Sequence, residues 1–487
     1  MSVAVKESAR QSADLRRLQP EERLDALLDD GSLQPLREGV RSRRLGERAK
    51  AGDGVLTAHG RIDGRPVCCY AQDASFAGGS LGEAHAASIV QLLALARRAR
   101  VPVIGFIESA GARMQEGLAA LSGYGAIFRE HVALSGEVPQ ISILCGPSAG
   151  GACYGPALTD FVIMGAEAAM FLTGPSVVAE VTGEQIDMQM LGGPRVHERN
   201  GVCHLTALDD LHAAQLARQL LRHLPQHRGA SPPQQAPVPA RRSDPAATVP
   251  EQARKVYDVR DVIEAIVDDG SMLELSPRWA RNVVCGFARI EGRSVGVVAN
   301  QPRHLGGVLD VASAQKAARF VRTCSAFGLP LAVLVDTPGF LPGSGQEREG
   351  VIRHGAKLVH AFAEASVPRV TVVLRKAFGG AFIAMNSKAL GADQVFAWPG
   401  AELGVMGAGQ AVGILNRREI AASREPALAR DRLADLYAAE HLTVVQAEAE
   451  GFVDAVIAPE STRERLASAF ELLADASPRP PIRNIPL

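Results

Sequence analysis

VPVIGFIESAG, residues 101–111, reads as a buried strand running into a glycine turn, and the chain writes it again as LPLAVLVDTPG, residues 329–339. A short run of β-branched and apolar residues bounded by proline and glycine suits a strand covered on both faces. Pro102 and Pro330 stand 228 residues apart, as do Glu108-Ser-Ala-Gly111 and Asp336-Thr-Pro-Gly339. Working outward, Arg61-Ile-Asp-Gly-Arg65 recurs as Arg289-Ile-Glu-Gly-Arg293, and Gly78-Gly79 as Gly306-Gly307, at the same offset. VPQISILCGPSAGG (138–151) and VPRVTVVLRKAFGG (367–380) follow at 229. Asp29-Asp-Gly-Ser32 returns as Asp268-Asp-Gly-Ser271 after 239, so the first copy is longer ahead of its Arg-x-x-Gly-Arg element. A period this long exceeds any solenoid repeat, and the matching register means that a whole domain is duplicated.

Each copy alternates strand and helix. Ala86, Ile89, Val90, Leu93 and Ala96 fall at helical spacing ahead of the 101–111 strand. AQKAARFVRTCSAFGL precedes the 329–339 strand in the same way, and HGAKLVHAFAEA leads into the strand RVTVVL. The expectation is an α/β protein: two domains of stacked β-β-α units with largely parallel strands. Between them GASPPQQAPVPARRSDPAATVPEQ is rich in proline and has no apolar period, which predicts a solvated linker over residues 229–252. The domains are then residues 1–228 and 253–487.

Composition excludes several function classes. With 47% hydrophobic and 22% charged residues and a net charge of -1, no global field favours nucleic acid or an anionic membrane. The polar N-terminus lacks the apolar run of a signal peptide, and no stretch has the length of a membrane span. Seven cysteines, odd in number, set in apolar runs and without a CxxC pair, suit reduced thiols in the cytoplasm and offer no zinc site.

Chemistry is expected where ISILCG and VTVVLR run into small-residue turns, Gly146-Pro-Ser-Ala-Gly150-Gly151-Ala152 and Arg375-Lys-Ala-Phe-Gly379-Gly380-Ala381. A helix beginning at such a turn directs free N–H groups outward, and two of them can hold an oxyanion. A lone Gly-Gly more often serves only close strand–helix packing. The same turn ending the same unit twice, each beside a second glycine loop (Ser109-Ala-Gly111-Ala112-Arg113 and Thr337-Pro-Gly339-Phe340), favours two oxyanion holes. Arg113 reads either as a phosphate contact or as a structural ion pair. Lys316 and Arg319 read as a solvated helix face, His354 as a hydrogen-bonded helix residue, and Asp336 as the brace of a turn.

FAGGSLGEAHA, ESAGARMQEG, YGAIF, GPSAGGACYGPALTDF and FLTGPSVV resemble the N-terminal carboxyltransferase domain of propionyl- and acetyl-CoA carboxylase β subunits. NVVCGFARIEGRSVGVVANQP, LDVASAQKAARFVRTC, DTPGFLPGSGQE, GVIRHGAKL and FAWPGAELGVMGA are similar to the C-terminal domain of that family. The resemblance implies two crotonase-like domains. The first would bind acyl-CoA, with the thioester oxygen on the amides of Gly150 and Gly151. The second would bind carboxybiotin, with its ureido oxygen on the amides of Gly380 and Ala381. Ser109, Ala110, Gly111, Ala112, Arg113, Gly339, Phe340, Phe382 and Ile383 would line the substrates, and no metal is implied. In this family each site lies between two subunits of a dimer, and three dimers make a hexamer.

The chain has no Ala-Met-Lys-Met biotinylation motif, the nearest string being Ala384-Met-Asn-Ser387, and no ATP-grasp segment. The resemblance therefore implies a partner α subunit with biotin carboxylase and biotin carboxyl carrier functions. Ile383 departs from the acidic residue common in propionyl-CoA carboxylases and points to a small or mixed acyl preference. Ala110 replaces a common glycine, and YAAEHLTVVQAEAEGFVDAVI (437–457) lacks the usual Asn-Pro. Two other readings stay open: the carboxyltransferase subunit of a biotin-dependent decarboxylase, and a non-catalytic scaffold paralogue.

Overall fold

The computed structural model describes residues 17–252, 255–476 and 484. They divide into two units, residues 17–230 with Asn484, and residues 231–476. The first contains β1 (Gln34–Leu36), β2 (Val55–Ile62), β3 (Arg65–Gln72), β4 (Val103–Ser109), β5 (Gln140–Ala149), β6 (Phe161–Gly165), β7 (Ala169–Phe171) and β8 (Leu205–Ala207). The second contains β9 (Leu273–Leu275), β10 (Val283–Ile290), β11 (Arg293–Asn300), β12 (Leu331–Thr337), β13 (Arg369–Phe378), β14 (Gln394–Ala397), β15 (Glu402–Gly404) and β16 (Ala455–Val456).

The sheets have the same order. β1-β2-β3-β4-β5-β6-β8 matches β9-β10-β11-β12-β13-β14-β16, with β7 on β5 and β15 on β13. In each, the first three strands are antiparallel and the rest parallel. The duplication read from the sequence is thus a duplication of topology, and each half is a crotonase-like α/β domain. The apolar runs come out buried as expected: every residue of β4 and of β12 is buried.

The helices follow the same logic. Glu83–Ala99 buries Ala86, Ile89, Leu93 and Ala96 on one stripe and stops at Arg100 in a left-handed conformation, φ 57°, two residues before Pro102. Val311–Ala326 is opened by Asp310, which accepts from Ser313 N while the Ser313 side chain caps Asp310 N. On that helix Lys316 is not on a solvated face. It is 5% exposed, and its Nζ donates to the carbonyls of Ser276, Trp279 and Val283 at 3.1, 3.0 and 2.8 Å. Ser276 and Ala280 have positive φ, so the turn they make leaves carbonyls that an ammonium satisfies.

The proline-rich stretch is mostly exposed, and residues 233 and 238 in it are hydrogen-bonded within the second unit. Prolines remove donors and leave carbonyls, and arginines supply what these accept: Arg289 donates to Pro233 O (2.8 Å) and Arg463 to Val238 O (2.9 Å). All seven cysteines are buried and unpaired. No helix among the described residues is long and apolar enough to cross a membrane.

Candidate active site

Parallel strands deliver their C-terminal ends to one edge of the sheet, and there β5 and β13 each release the chain into a short helix. β5 ends at Ala149, Gly150 turns with φ 60° and ψ −126°, and the helix Gly151–Ala157 follows. β13 ends at Phe378, Gly379 turns with φ +60°, and its helix spans Gly379–Ala384. Left-handed φ at both positions is why glycine stands there.

The amides at the two turns are not equivalent in number. Gly150 N donates to Phe171 O on β7 at 3.1 Å, so its N–H is engaged. Among the described residues no acceptor holds the amides of Gly151 and Ala152, or those of Gly380 and Ala381. Of the expected pair in the first unit, Gly150 and Gly151, only Gly151 has an open amide, and Gly151 and Ala152 stand at the 229 offset from Gly380 and Ala381. Edge pairing with β7 closes the Gly150 amide. Cys153 Sγ lies 2.9 Å from the same Phe171 carbonyl and 3.0 Å from Ser148 O, and burial pushes its thiol up to about 11.

A second loop faces each turn in the same fashion. Ser109 Oγ accepts from Gly111 N (3.2 Å), and Thr337 Oγ1 from Gly339 N (3.3 Å). Leu81 N donates to Gly111 O and Arg113 N to Leu81 O, at 2.8 and 2.9 Å, which pins both neighbours of Ala112. Leu309 and Leu341 do the same around Phe340, at 3.0 and 2.7 Å. Ser109 is wholly buried and close to Tyr124 OH (3.4 Å), so it shapes the loop from behind, whereas Ala110 is exposed. Ile383 is 48% exposed on the helix after the second turn, next to half-buried Phe382.

Each turn is backed by an aromatic ring, of which the sequence analysis singles out Phe340 but not Tyr124. Tyr124 lies against Gly151, while the Phe340 ring lies over Gly355 and Gly380. The first comes from the following helix and the second from the loop, so the ring positions follow no common offset. Both rings lie in quoted motifs, Tyr124 in YGAIF and Phe340 in DTPGFLPGSGQE, but their packing on the turns is a tertiary contact that the motifs do not state.

Of the two readings of Arg113, the structure contains the ion pair. It is 1% exposed and pairs with Asp53 (2.7 Å) and Glu116 (2.9 Å), and its Nη2 donates to Ser80 O (2.9 Å). Glu116 in turn accepts from Glu83 N (2.7 Å) and Ser42 Oγ (2.9 Å), and Asp53 accepts from His85 N (2.9 Å). Burial, with Arg113 nearby, pushes His85 down to about 3. Gln72 donates to its Nε2 (3.2 Å) and accepts from Glu108 N (2.9 Å).

Both units bury a carboxylate just before the glycine loop. Glu108 pairs with Arg23 (3.2 Å) and with Arg17. Asp336 pairs with Arg375 (3.0 Å), with Lys376 3.8 Å away, and Arg375 also donates to Lys255 O (2.8 Å). Burial pushes both carboxyls above their ordinary range, against the pull of these cations. The counterpart of Arg375 in the first unit is Gly146, and a side chain there would run into Arg17 and Glu108.

Comparison with known proteins shows the family of the chain. The carboxyl transferase domain model matches residues 16–485. A putative propionyl-CoA carboxylase beta chain of Bacillus subtilis is 45% identical, over 99% of this chain and 96% of that protein. Methylmalonyl-CoA decarboxylase subunit alpha of Propionigenium modestum is 42% identical, over 96% and 92%. The crystal structure of transcarboxylase 12S, described as a hexamer with methylmalonyl-coenzyme A bound, superposes with a TM-score of 0.92 at 44% identity, covering 99% of this chain and 94% of that one.

Proposed function

The chain belongs to the carboxyl transferase family as a carboxyltransferase of the acyl-CoA carboxylase type, and we propose that it moves CO2 from carboxybiotin to the α-carbon of a short acyl-CoA such as acetyl-, propionyl- or butyryl-CoA. The observation that carries this is the pair of matched turns, each with two amides that lack an acceptor among the described residues. A backbone hole of this kind stabilises an oxyanion without a charged side chain, and it is already oriented before the reaction.

The first unit takes the acyl-CoA. Gly151 and Ala152 hold the thioester oxygen as negative charge builds on it, and the loop Ala110–Ala112 lies alongside the acyl group. The second unit takes the biotin ring, whose ureido oxygen suits the open amides of Gly380 and Ala381. Carboxybiotin supplies the CO2 and, after releasing it, the basic nitrogen that removes the α-proton. No side-chain general base is then needed, and the buried Glu108 and Asp336, each paired with arginine, are not free to act as one.

The biotin arrives on a carrier from a partner α subunit that also has the biotin carboxylase. The working assembly is a hexamer built as a trimer of dimers, as transcarboxylase 12S is a hexamer. Seven reduced, buried cysteines support a cytoplasmic location.

The experiment is carboxylation by the purified chain with a biotin carboxylase and carrier partner, ATP and bicarbonate. ATP-dependent labelling of an acyl-CoA supports the proposal. Product only from malonyl- or methylmalonyl-CoA cleavage without ATP would assign the decarboxylase direction instead. No turnover in either direction would leave a scaffold.

A further inference from the structure

The carbonyls of Ser80 and Val308 stand 228 residues apart, each one residue ahead of the leucine that bridges to its glycine loop. The two units hold this carbonyl by different means. In the first, Arg113 Nη2 donates to Ser80 O at 2.9 Å from inside the loop. The residue at that offset in the second unit is Leu341, which has no side-chain donor. There Asn282 Nδ2 donates to Val308 O instead, at 2.8 Å.

Asn282 is 3% exposed and its own carbonyl accepts from Gln301 N at 2.9 Å. It lies in the turn 276–283, and that turn is fastened by Lys316. An ammonium has three donors and no acceptor. Those of Lys316 meet carbonyls on both sides of Asn282, at Ser276 and Trp279 before it and at Val283 directly after it. In the first unit the counterpart of Lys316 is Ser88, whose hydroxyl donates to Ala84 O within its own helix at 3.1 Å.

From Lys316 an unbroken series of contacts reaches the second turn. Val308, held by Asn282, is followed by Leu309, which donates to Gly339 O at 3.0 Å and accepts from Leu341 N at 2.7 Å. Between those two partners Phe340 lays its ring over Gly380, where an added Cβ would stand 3.8 Å from it. We propose that Lys316 is a positioning residue for the second turn: it fixes the turn 276–283 so that Asn282 holds Val308 and the Phe340 ring stays against Gly380. The role rests on the carboxybiotin reading of the second unit. Lys316 and Asn282 then do for the second loop what Arg113 does for the first. Support of this kind matters because small misplacements of groups around a reacting centre cost rate.

The test compares Lys316→Met and Asn282→Ala with Ser325→Ala, which removes a buried hydrogen bond from Ser366 N (2.9 Å) at the far end of the same helix. Hydrogen exchange of the full-length protein reads the loop. The Leu309 and Leu341 amides should exchange about threefold to tenfold faster in the first two variants, the range for one lost hydrogen bond, and at the wild-type rate in Ser325→Ala. Transfer of the carboxyl group from methylmalonyl-CoA to free biotin reads the function without a carrier. There kcat/KM for biotin should fall by a similar factor in both variants while KM for the acyl-CoA stays, and the double variant should be no worse than Asn282→Ala alone. Lys316→Gln, which keeps one donor, replaces Lys316→Met if that variant does not fold. Unchanged exchange at Leu309 and Leu341 overturns the proposal, as does the same loss in Ser325→Ala, a fully additive double variant or an equal rise in the acyl-CoA KM. No transfer to biotin by the wild-type protein would instead overturn the carboxybiotin reading, and this role with it.

Discussion

Gly151 and Gly380 hold the same place in the two turns, yet a Cβ added to Gly151 would lie 2.8 Å from the Tyr124 ring, and one added to Gly380 would lie 3.8 Å from the Phe340 ring. The first is a collision and the second an ordinary contact. Matched backbones thus have unmatched tolerance.

Gly151→Ala should accordingly cost about 1–3 kcal/mol of stability through forced repacking of Tyr124, together with most of the carboxylation activity. Gly380→Ala should melt close to wild type. Thermal melts of the two variants side by side decide this, and equal losses would contradict the steric argument.

Arg113→Met leaves Asp53 and Glu116 facing each other in the interior without their cation. Breaking a buried pair from one side costs about 3–5 kcal/mol, so the first unit should unfold at markedly lower denaturant while the transition of the second stays in place. Hydrogen exchange resolved by segment would show this. Protection lost equally in both units would argue against it.

His85 is neutral in the fold, held near 3 where an exposed histidine titrates at 6.5. A depressed folded value means that the unfolded chain binds a proton the native one refuses. The contribution of His85 is therefore complete above 6.5 and is lost progressively as pH falls from 6.5 towards 3. Within that window stability should fall about 1.4 kcal/mol per pH unit more steeply than in His85→Gln. Denaturation curves at pH 4.5, 5.5 and 7 compare the slopes, and parallel slopes would remove the histidine from the account.

Ile383 stands half-exposed beside the second turn, and we propose that it forms an apolar wall of the acyl pocket. Replacing it by aspartate should change the ratio of kcat/KM between butyryl- and acetyl-CoA by about tenfold or more, the scale on which one pocket discriminates methylenes. Identical ratios before and after the change would reduce Ile383 to packing.

What could be read from the sequence was whatever is local or periodic. β4 and β12 declared themselves by unbroken apolar runs, and the glycine turns by their register. Long-range partners left no such trace. Arg113 finds Asp53 sixty residues away, and Lys316 finds three carbonyls in a turn that only the folded chain makes. The Gly150 amide looked available because β7, which engages it, is three residues long and carries no strand signal of its own.

Glu108 and Asp336 are the same carboxylate in two histories. One draws its cations from Arg17 and Arg23 upstream, the other from Arg375 on the adjacent strand. An arginine cannot enter at Gly146 while Arg17 fills the space, and Arg375 cannot be shed before another guanidinium arrives. Each single step towards the other copy therefore either clashes or leaves a buried carboxylate without its cation. Copying one repeat onto the other at this strand would break a buried ion pair, which keeps the two sequences apart here.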